Sequence, residues 1–209
     1  VTVEAAYTTW SATYDADRNL TRDLDQDVTR RVLGDRHFRS VLEIGCGTGK
    51  NTALLAGIAE RVVALDFSEG MLARARAKMR ADHVVFLRTD VTRPWPCADG
   101  SVDLVIGNLV LEHIEHLDAV FAEASRCLTA DGRLFVSELH PFRQYQGAQA
   151  RFVDAANEST RVPAFVHHVS EVLDAATRAG VTLLRFGEWW HDEDASRPPR
   201  LATFELVKR

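Results

Sequence analysis

Lysine is nearly missing from this chain. Lys50, Lys78 and Lys208 are its only three, and the other 22 of its 25 basic residues are arginine. That bias points to a GC-rich genome and carries no functional message. Cysteine is also scarce: Cys46, Cys97 and Cys127 form an odd set without metal-type spacing, and they read as reduced thiols of a cytoplasmic protein. No apolar run reaches the ~18 residues that a membrane-spanning helix needs. The first residues, VTVEAAYTTWSATYDADRN, lack a basic stretch followed by an apolar one, so no secretory signal is expected. Positive charge is not in excess, with 25 Lys+Arg against 30 Asp+Glu and a net of −5. Such a surface repels phosphate backbones and anionic lipid, which argues against nucleic-acid and membrane partners. There is no internal repeat, low-complexity stretch or Pro/Gly/Ser linker. A hydrophobic share of 46% and a charged share of 26% are ordinary for a globular chain. We therefore expect one domain over 1–209, burying roughly 70% of its unfolded surface.

What is present is alternation. From about residue 40, short β-branched runs recur: SVLEI (40–44), RVVALD (61–66), HVVFLR (83–88), SVDLVIGN (101–108) and GRLFVSEL (132–139). Between them lie segments with apolar residues three and four apart, at 51–60, 68–80 and 116–128. Ser68 is placed to cap the second of these. Strands nearly continuous in Val, Leu and Ile are buried on both faces, as in a parallel sheet covered by helices. The pattern predicts a doubly wound α/β fold. Residues 17–36 are expected to form a helix before the first strand. The chain's end reads as helix (169–180), strand (181–190), a solvated acidic turn beginning at His191, and strand (200–209). About nine non-helical residues cannot make a parallel crossover, so these last two strands must run antiparallel. Residues 141–168 form an insertion too long for an ordinary connection, suited to a substrate-side wall.

The strongest chemical signal is Val41-Leu42-Glu43-Ile44-Gly45-Cys46-Gly47-Thr48-Gly49-Lys50. An apolar strand runs into a turn with glycine at every second place, then opens a helix. Gly45 allows the turn, and Gly47 allows backbone to approach a ligand with no Cβ in the way. Asp66 ends the second strand 21 residues beyond Gly45, where a carboxylate can accept both hydroxyls of a ribose. Asp90 ends the third strand, placed to accept from an exocyclic amine, with the Val91 N–H free for a ring nitrogen. Together they outline an adenosine site. A dinucleotide turn wants G-x-G-x-x-G, whereas this one is G-x-G-x-G after an acid. Glu43 would repel a pyrophosphate, but it can orient the loop and attract a cation such as a sulfonium or ammonium.

On these blocks, with VVALDFS-EGML, LRTDVTRPWP, SVDLVIGNLVLEHI and RCLTADGRLFVSELHPF, the chain resembles the class I S-adenosylmethionine-dependent methyltransferases. It is similar in particular to small enzymes acting on quinone and biotin-precursor substrates. The resemblance implies a Rossmann-like, seven-stranded, mostly parallel sheet with an antiparallel terminal strand. It implies S-adenosylmethionine as cofactor and S-adenosylhomocysteine as product. It puts Gly45 and Gly47 near the methionine part, Asp66 on the ribose, and Asp90 with Val91 on the adenine. Phe67 would wall the adenosine, and Met71, Asn108 and Leu109 would line the bound cofactor. The N-terminal segment 1–39 would supply a lid and a helix, with Tyr14 touching the sulfonium region and Arg22 pairing with the methionine carboxylate.

Methyl transfer depends mainly on holding the nucleophile against the methyl group and excluding water. A base helps with a protonated acceptor, and His113 and His140, after the fourth and fifth strands, are the candidates. His113 has the alternative role of orienting its loop. A metal is not expected: His113 and His116 lack a third ligand, and adjacent His167 and His168 would face opposite ways on a strand. The expected partner is a small-molecule acceptor bearing an O, N or C nucleophile, on a monomer or homodimer. The competing readings are an enzyme that cyclises the cofactor and a regulatory protein that only holds it.

Overall fold

The computed structural model describes residues 2–153 and 159–209. In chain order the elements are α1 (Val3–Trp10), α2 (Leu20–Leu33), β1 (Phe38–Ile44), α3 (Thr52–Ile58), β2 (Ala59–Asp66), α4 (Glu69–Lys78), β3 (Val84–Arg88) and β4 (Val102–Asn108). There follow α5 (Leu117–Cys127), β5 (Leu128–Leu139), α6 (Pro141–Tyr145), β6 (Arg151–Val153), β7 (Ser159–Arg161), α7 (Val169–Arg178), β8 (Val181–Trp189) and β9 (Leu201–Lys208).

Seven strands form one sheet in the order β3-β2-β1-β4-β5-β9-β8, with β9 antiparallel to both of its neighbours. This is the doubly wound α/β sheet that the alternation predicts, with the antiparallel terminal strand that the resemblance implies. Side chains along a strand alternate between faces, and the sequence fills both faces with hydrocarbon. Leu42, Ile44, Leu65 and Val105 join the core under α5 and α7. Val41, Val62, Leu104 and Ile106 join the core under α3 and the end of α2. The parallel register sets Ile44 beside Leu65 on one side and beside Gly107 on the other. The carboxyl ends of β1, β2 and β4 therefore open side by side, where the strand order reverses. An α/β sheet binds its ligands at such a switch point.

Departures from the expected elements lie mostly outside the sheet. The first residues form a helix, α1, that the sequence pattern did not reveal. Its N-terminus is capped by the Thr2 hydroxyl, which accepts from the Ala5 N–H. The helix read over 17–36 is α2, starting at Leu20 because the Asn19 side chain accepts from the Thr21 and Arg22 N–H groups. The insertion 141–168 is more ordered than a loop: it carries α6 and the two-stranded ribbon β6–β7. Its residues 154–158 lie outside the described part. The acidic turn is not uniformly solvated, because Asp194 is fully buried. Two arginines reach it from outside the turn: Arg143 at 2.7 Å and Arg200, whose Nε donates at 3.0 Å.

Candidate functional site

The glycine turn after β1 needs left-handed backbone, with φ of +67° at Gly45 and +54° at Gly47. A Cβ at Gly45 would come within 2.6 Å of Val110 Cγ2, so this glycine serves packing as well. A Cβ at Gly47 would project into open space, leaving bare backbone facing a cleft. Asp66 faces the same turn. Its Oδ2 accepts from the Gly47 N–H at 2.8 Å and its Oδ1 from the Ser68 N–H at 2.8 Å. Each oxygen keeps a second acceptor site, which suits a pair of vicinal hydroxyls. Burial pushes the Asp66 carboxyl up to about 6.

Glu43 lies buried behind the turn. Its Oε2 accepts from the Thr52 hydroxyl at 2.5 Å, and burial pushes it up to about 8. Asp90 behaves differently, because it is half-exposed. Burial works upward there, but bonds from Thr92 and Arg93 outweigh it and hold its pKa below the usual range. Its Oδ1 accepts from the Thr92 N–H and hydroxyl, and its Oδ2 stands 3.4 Å from Arg93. No protein acceptor takes the Val91 N–H among the described residues.

Asp25 is the residue that the sequence did not disclose. From α2 it accepts Nδ2 of Asn51 and of Asn108, each at 2.8 Å, joining the glycine turn to the end of β4. Both amide oxygens are buried and lack a donor among the described residues, so two acceptors wait beside the turn. Leu109 follows in a left-handed conformation, φ +53°, held by its N–H donating to Ser137 O at 2.8 Å. A branched side chain in that region is strained, and such strain concentrates at functional sites. Glu138 fixes the next residues, its Oε1 accepting from the Val110 and Leu111 N–H groups.

The N-terminal segment crosses these strand ends. Asp15 accepts from the Thr48 hydroxyl at 2.6 Å and from Lys78 at 2.9 Å, and the Thr8 and Ser68 hydroxyls bond at 3.1 Å. The Arg22 guanidinium donates to the Tyr14 and Asp17 carbonyls and lies 3.9 Å from the Tyr14 ring centroid. His113 donates from Nδ1 to Pro163 O at 2.9 Å, which fixes its tautomer and leaves Nε2 to accept the Tyr7 hydroxyl at 2.7 Å. Burial holds His113 below the usual histidine range and raises the Tyr7 phenol well above its own, so both groups are neutral at pH 7.

These residues enclose a cleft of about 140 Å³. Twelve predicted residues line it together: Tyr14, Arg22, Glu43, Gly45, Gly47, Asp66, Phe67, Asp90, Val91, Asn108, Leu109 and His113. Two others do not reach it. Met71 is packed in the base of α4, its N–H donating to the Ser68 hydroxyl that caps the helix. His140 caps α6 instead: its Nδ1 accepts from the Phe142 N–H, and its Nε2 donates to Glu188 at 3.1 Å. Neither of its nitrogens is free to act as a base in the cleft. A second cavity, of about 840 Å³, adjoins the first and shares Tyr7, Tyr14, Arg22 and Leu109 with it.

With Asp25, Glu43, Asp66 and Asp90 set against Arg22 and Lys50, the cleft is rich in acceptors. Such a lining fits hydroxyls, amines and a cationic sulfur. Bare backbone at Gly47, two orphaned amide oxygens and the Asp66 carboxylate are what an S-adenosylmethionine molecule would use.

The family model of a methyltransferase domain matches residues 42–136. An uncharacterized methyltransferase of Emericella nidulans is 32% identical over 224 residues, covering 88% of this chain and 76% of that protein. The malonyl-(acyl-carrier protein) O-methyltransferase of Xylella fastidiosa is 32% identical over 66% of this chain, which spans 48% of that enzyme's length. Among solved structures, the N-methyltransferase NodS of Bradyrhizobium japonicum in complex with S-adenosylhomocysteine shares the fold. Its TM-score is 0.71 at 17% identity, over 99% of this chain and 96% of that one. The chain therefore belongs to the S-adenosylmethionine-dependent methyltransferases.

Proposed function

We propose that this chain methylates a small-molecule acceptor held in the larger cavity, using S-adenosylmethionine bound in the smaller one. The observation that carries the reading is the junction. Tyr7, Tyr14, Arg22 and Leu109 border both cavities, so a methyl group presented there meets whatever the larger cavity holds. Asp66 accepts the two ribose hydroxyls, and Asp90 and the Val91 N–H read the adenine edge beside Phe67. The free amide oxygens of Asn51 and Asn108 accept from the ammonium, and Arg22 faces the carboxylate. The N-terminal segment 1–39 acts as lid and helix, and the insertion 141–168 walls the substrate side. Three free thiols suit a reducing, cytoplasmic setting.

The cofactor supplies an electrophilic methyl carbon on a positively charged sulfur. Everything else falls to the protein. The lid residues exclude water and hold the nucleophile in line with that carbon, the effect that accounts for most of the rate. A proton on the acceptor passes to the Tyr7 hydroxyl as that hydroxyl gives its own proton to His113 Nε2. We assign the base role to this pair rather than to His140.

The test is product analysis with a panel of small acceptors. Acceptor-dependent S-adenosylhomocysteine supports methyl transfer. Methylthioadenosine formed without an acceptor would mark a cyclase, and binding without any product would mark a regulatory protein. Once an acceptor is found, His113→Gln should lower kcat by about 10²-fold or more while leaving S-adenosylhomocysteine affinity unchanged. An equal loss of both would remove His113 from the proton path.

A further inference from the structure

We propose that the methyl acceptor is a small anion, anchored in the larger cavity through carboxylate or phosphate oxygens by Arg143, Arg200 and the arginines at its rim. The proposal rests on the methyl-transfer reading above and names the substrate class for the same site.

The chain as a whole is negative, at −5, yet this cavity is strongly positive. Arg143 and Arg200 line its depth, Arg151, Arg161 and Arg197 its rim, and Arg22 its border with the cleft. Glu112 is the one carboxylate on the wall among the described residues. Burial pushes Glu112 up to about 7, so at neutral pH it cancels only part of one positive charge.

The deeper pair is arranged as a receptor. Arg143 is 7% exposed and Asp194 is fully buried behind it, taking both Arg143 and Arg200 as partners. Two guanidinium groups on one carboxylate leave a surplus positive charge out of water, which is costly until an anion arrives. Arg143 Nη2 is buried against Asp194 Oδ1 at 2.7 Å, so the ion pair is anchored behind the cavity wall. Arg143 Nε donates to Pro198 O at 3.0 Å and Arg200 Nη1 to Thr21 Oγ1 at 3.1 Å, which hold the two planar forks in place. Nε and Nη2 of Arg200 already donate to Asp194, so an anion meets the outer edges of these held guanidinium groups together with the exposed Arg151, Arg161 and Arg197. The neighbouring cleft carries the Asp66 and Asp90 carboxylates, so the arginine-lined cavity is the more positive of the two and steers an anion to its side.

The experiment is a calorimetric titration of the S-adenosylhomocysteine-saturated protein with malonate and, separately, with inorganic phosphate; uncharged malonamide is the control. Saturable binding of either anion, without malonamide binding, is expected, and the stronger anion tells carboxylate from phosphate recognition. Arg143→Gln should weaken that binding about tenfold or more, and Arg161→Gln several-fold, because charge-assisted bonds are lost. Arg161→Gln should leave S-adenosylhomocysteine affinity unchanged, and it carries the test alone if Arg143→Gln does not fold. Anion binding that is absent, or equal in the wild type and in these variants, would overturn the proposal. Failure of S-adenosylhomocysteine itself to bind would instead strike the methyl-transfer reading beneath it.

Discussion

The two adjoining cavities differ in charge and in how they are built. The cleft is assembled from consecutive strand ends, with Gly45, Gly47, Asp66 and Asp90 each at the carboxyl end of β1, β2 or β3. The larger cavity is assembled from residues as far apart as Arg22 and Arg200, on helices, the β6–β7 ribbon and the β8–β9 turn. Carboxylates are frequent in the lining of the first, guanidinium groups in that of the second. The contrast separates a part set by the sheet from a part built on loops, and loops on a rigid scaffold are where specificity varies.

The contrast is broken most severely at Asp194. Asp194→Ala should leave Arg143 and Arg200 buried without their shared partner and cost about 3–5 kcal/mol of folding stability, read by urea unfolding. A loss under about 1 kcal/mol would show that these arginines are hydrated rather than paired. Next comes the cleft. Asp66→Ala should weaken S-adenosylhomocysteine binding by about 2–3 kcal/mol in calorimetry, because two charge-assisted bonds are lost. Unchanged affinity would remove Asp66 from the ribose.

A pH titration sharpens the comparison further. Burial pushes Glu43 and Glu138 up to about 8, Glu112 to about 7 and Asp66 to about 6. In the unfolded chain these carboxyls lose their protons near pH 4–5. Between there and pH 8 the folded state binds more protons than the unfolded one, so stability falls as pH rises through that window. Ligand-free protein should melt lower at pH 8 than at pH 5.5, each kilocalorie corresponding to about 2–4 °C. A Tm that rises over the same interval would contradict the burial of these four acids. The smallest effect belongs to the rim. Arg18 and Glu193 are exposed partners, so Arg18→Gln should change stability by less than about 1 kcal/mol. A larger loss would mean that this edge is closed.

The same contrast explains what the sequence made legible. A strand running into a glycine turn, and an aspartate ending the next strand, are local patterns whose geometry follows from a few adjacent residues. The sheet order and the cleft lining could therefore be read directly. His140 misled because its place after β5 is shared with many catalytic groups. Its direction is set by the Phe142 N–H and by Glu188, a residue of β8 that is 48 positions away. Asp194 sits in the run His191-Asp192-Glu193-Asp194, which reads as solvated; only the return of β9 brings Arg200 against it. Asp25 resembles any acid on the polar side of a helix until α2 packs over Asn51 and Asn108. No spacing rule links Arg143 to Arg200 or Arg161, so the positive cavity becomes visible only once the chain is folded.

The most direct measurement is a crystal structure with S-adenosylhomocysteine bound. The ribose hydroxyls should lie within hydrogen-bonding distance of Asp66, the adenine beside Asp90, and the sulfur at the Tyr7–Tyr14 junction facing the arginine-lined cavity. A nucleoside lying elsewhere, or a sulfur turned away from that junction, would contradict this placement.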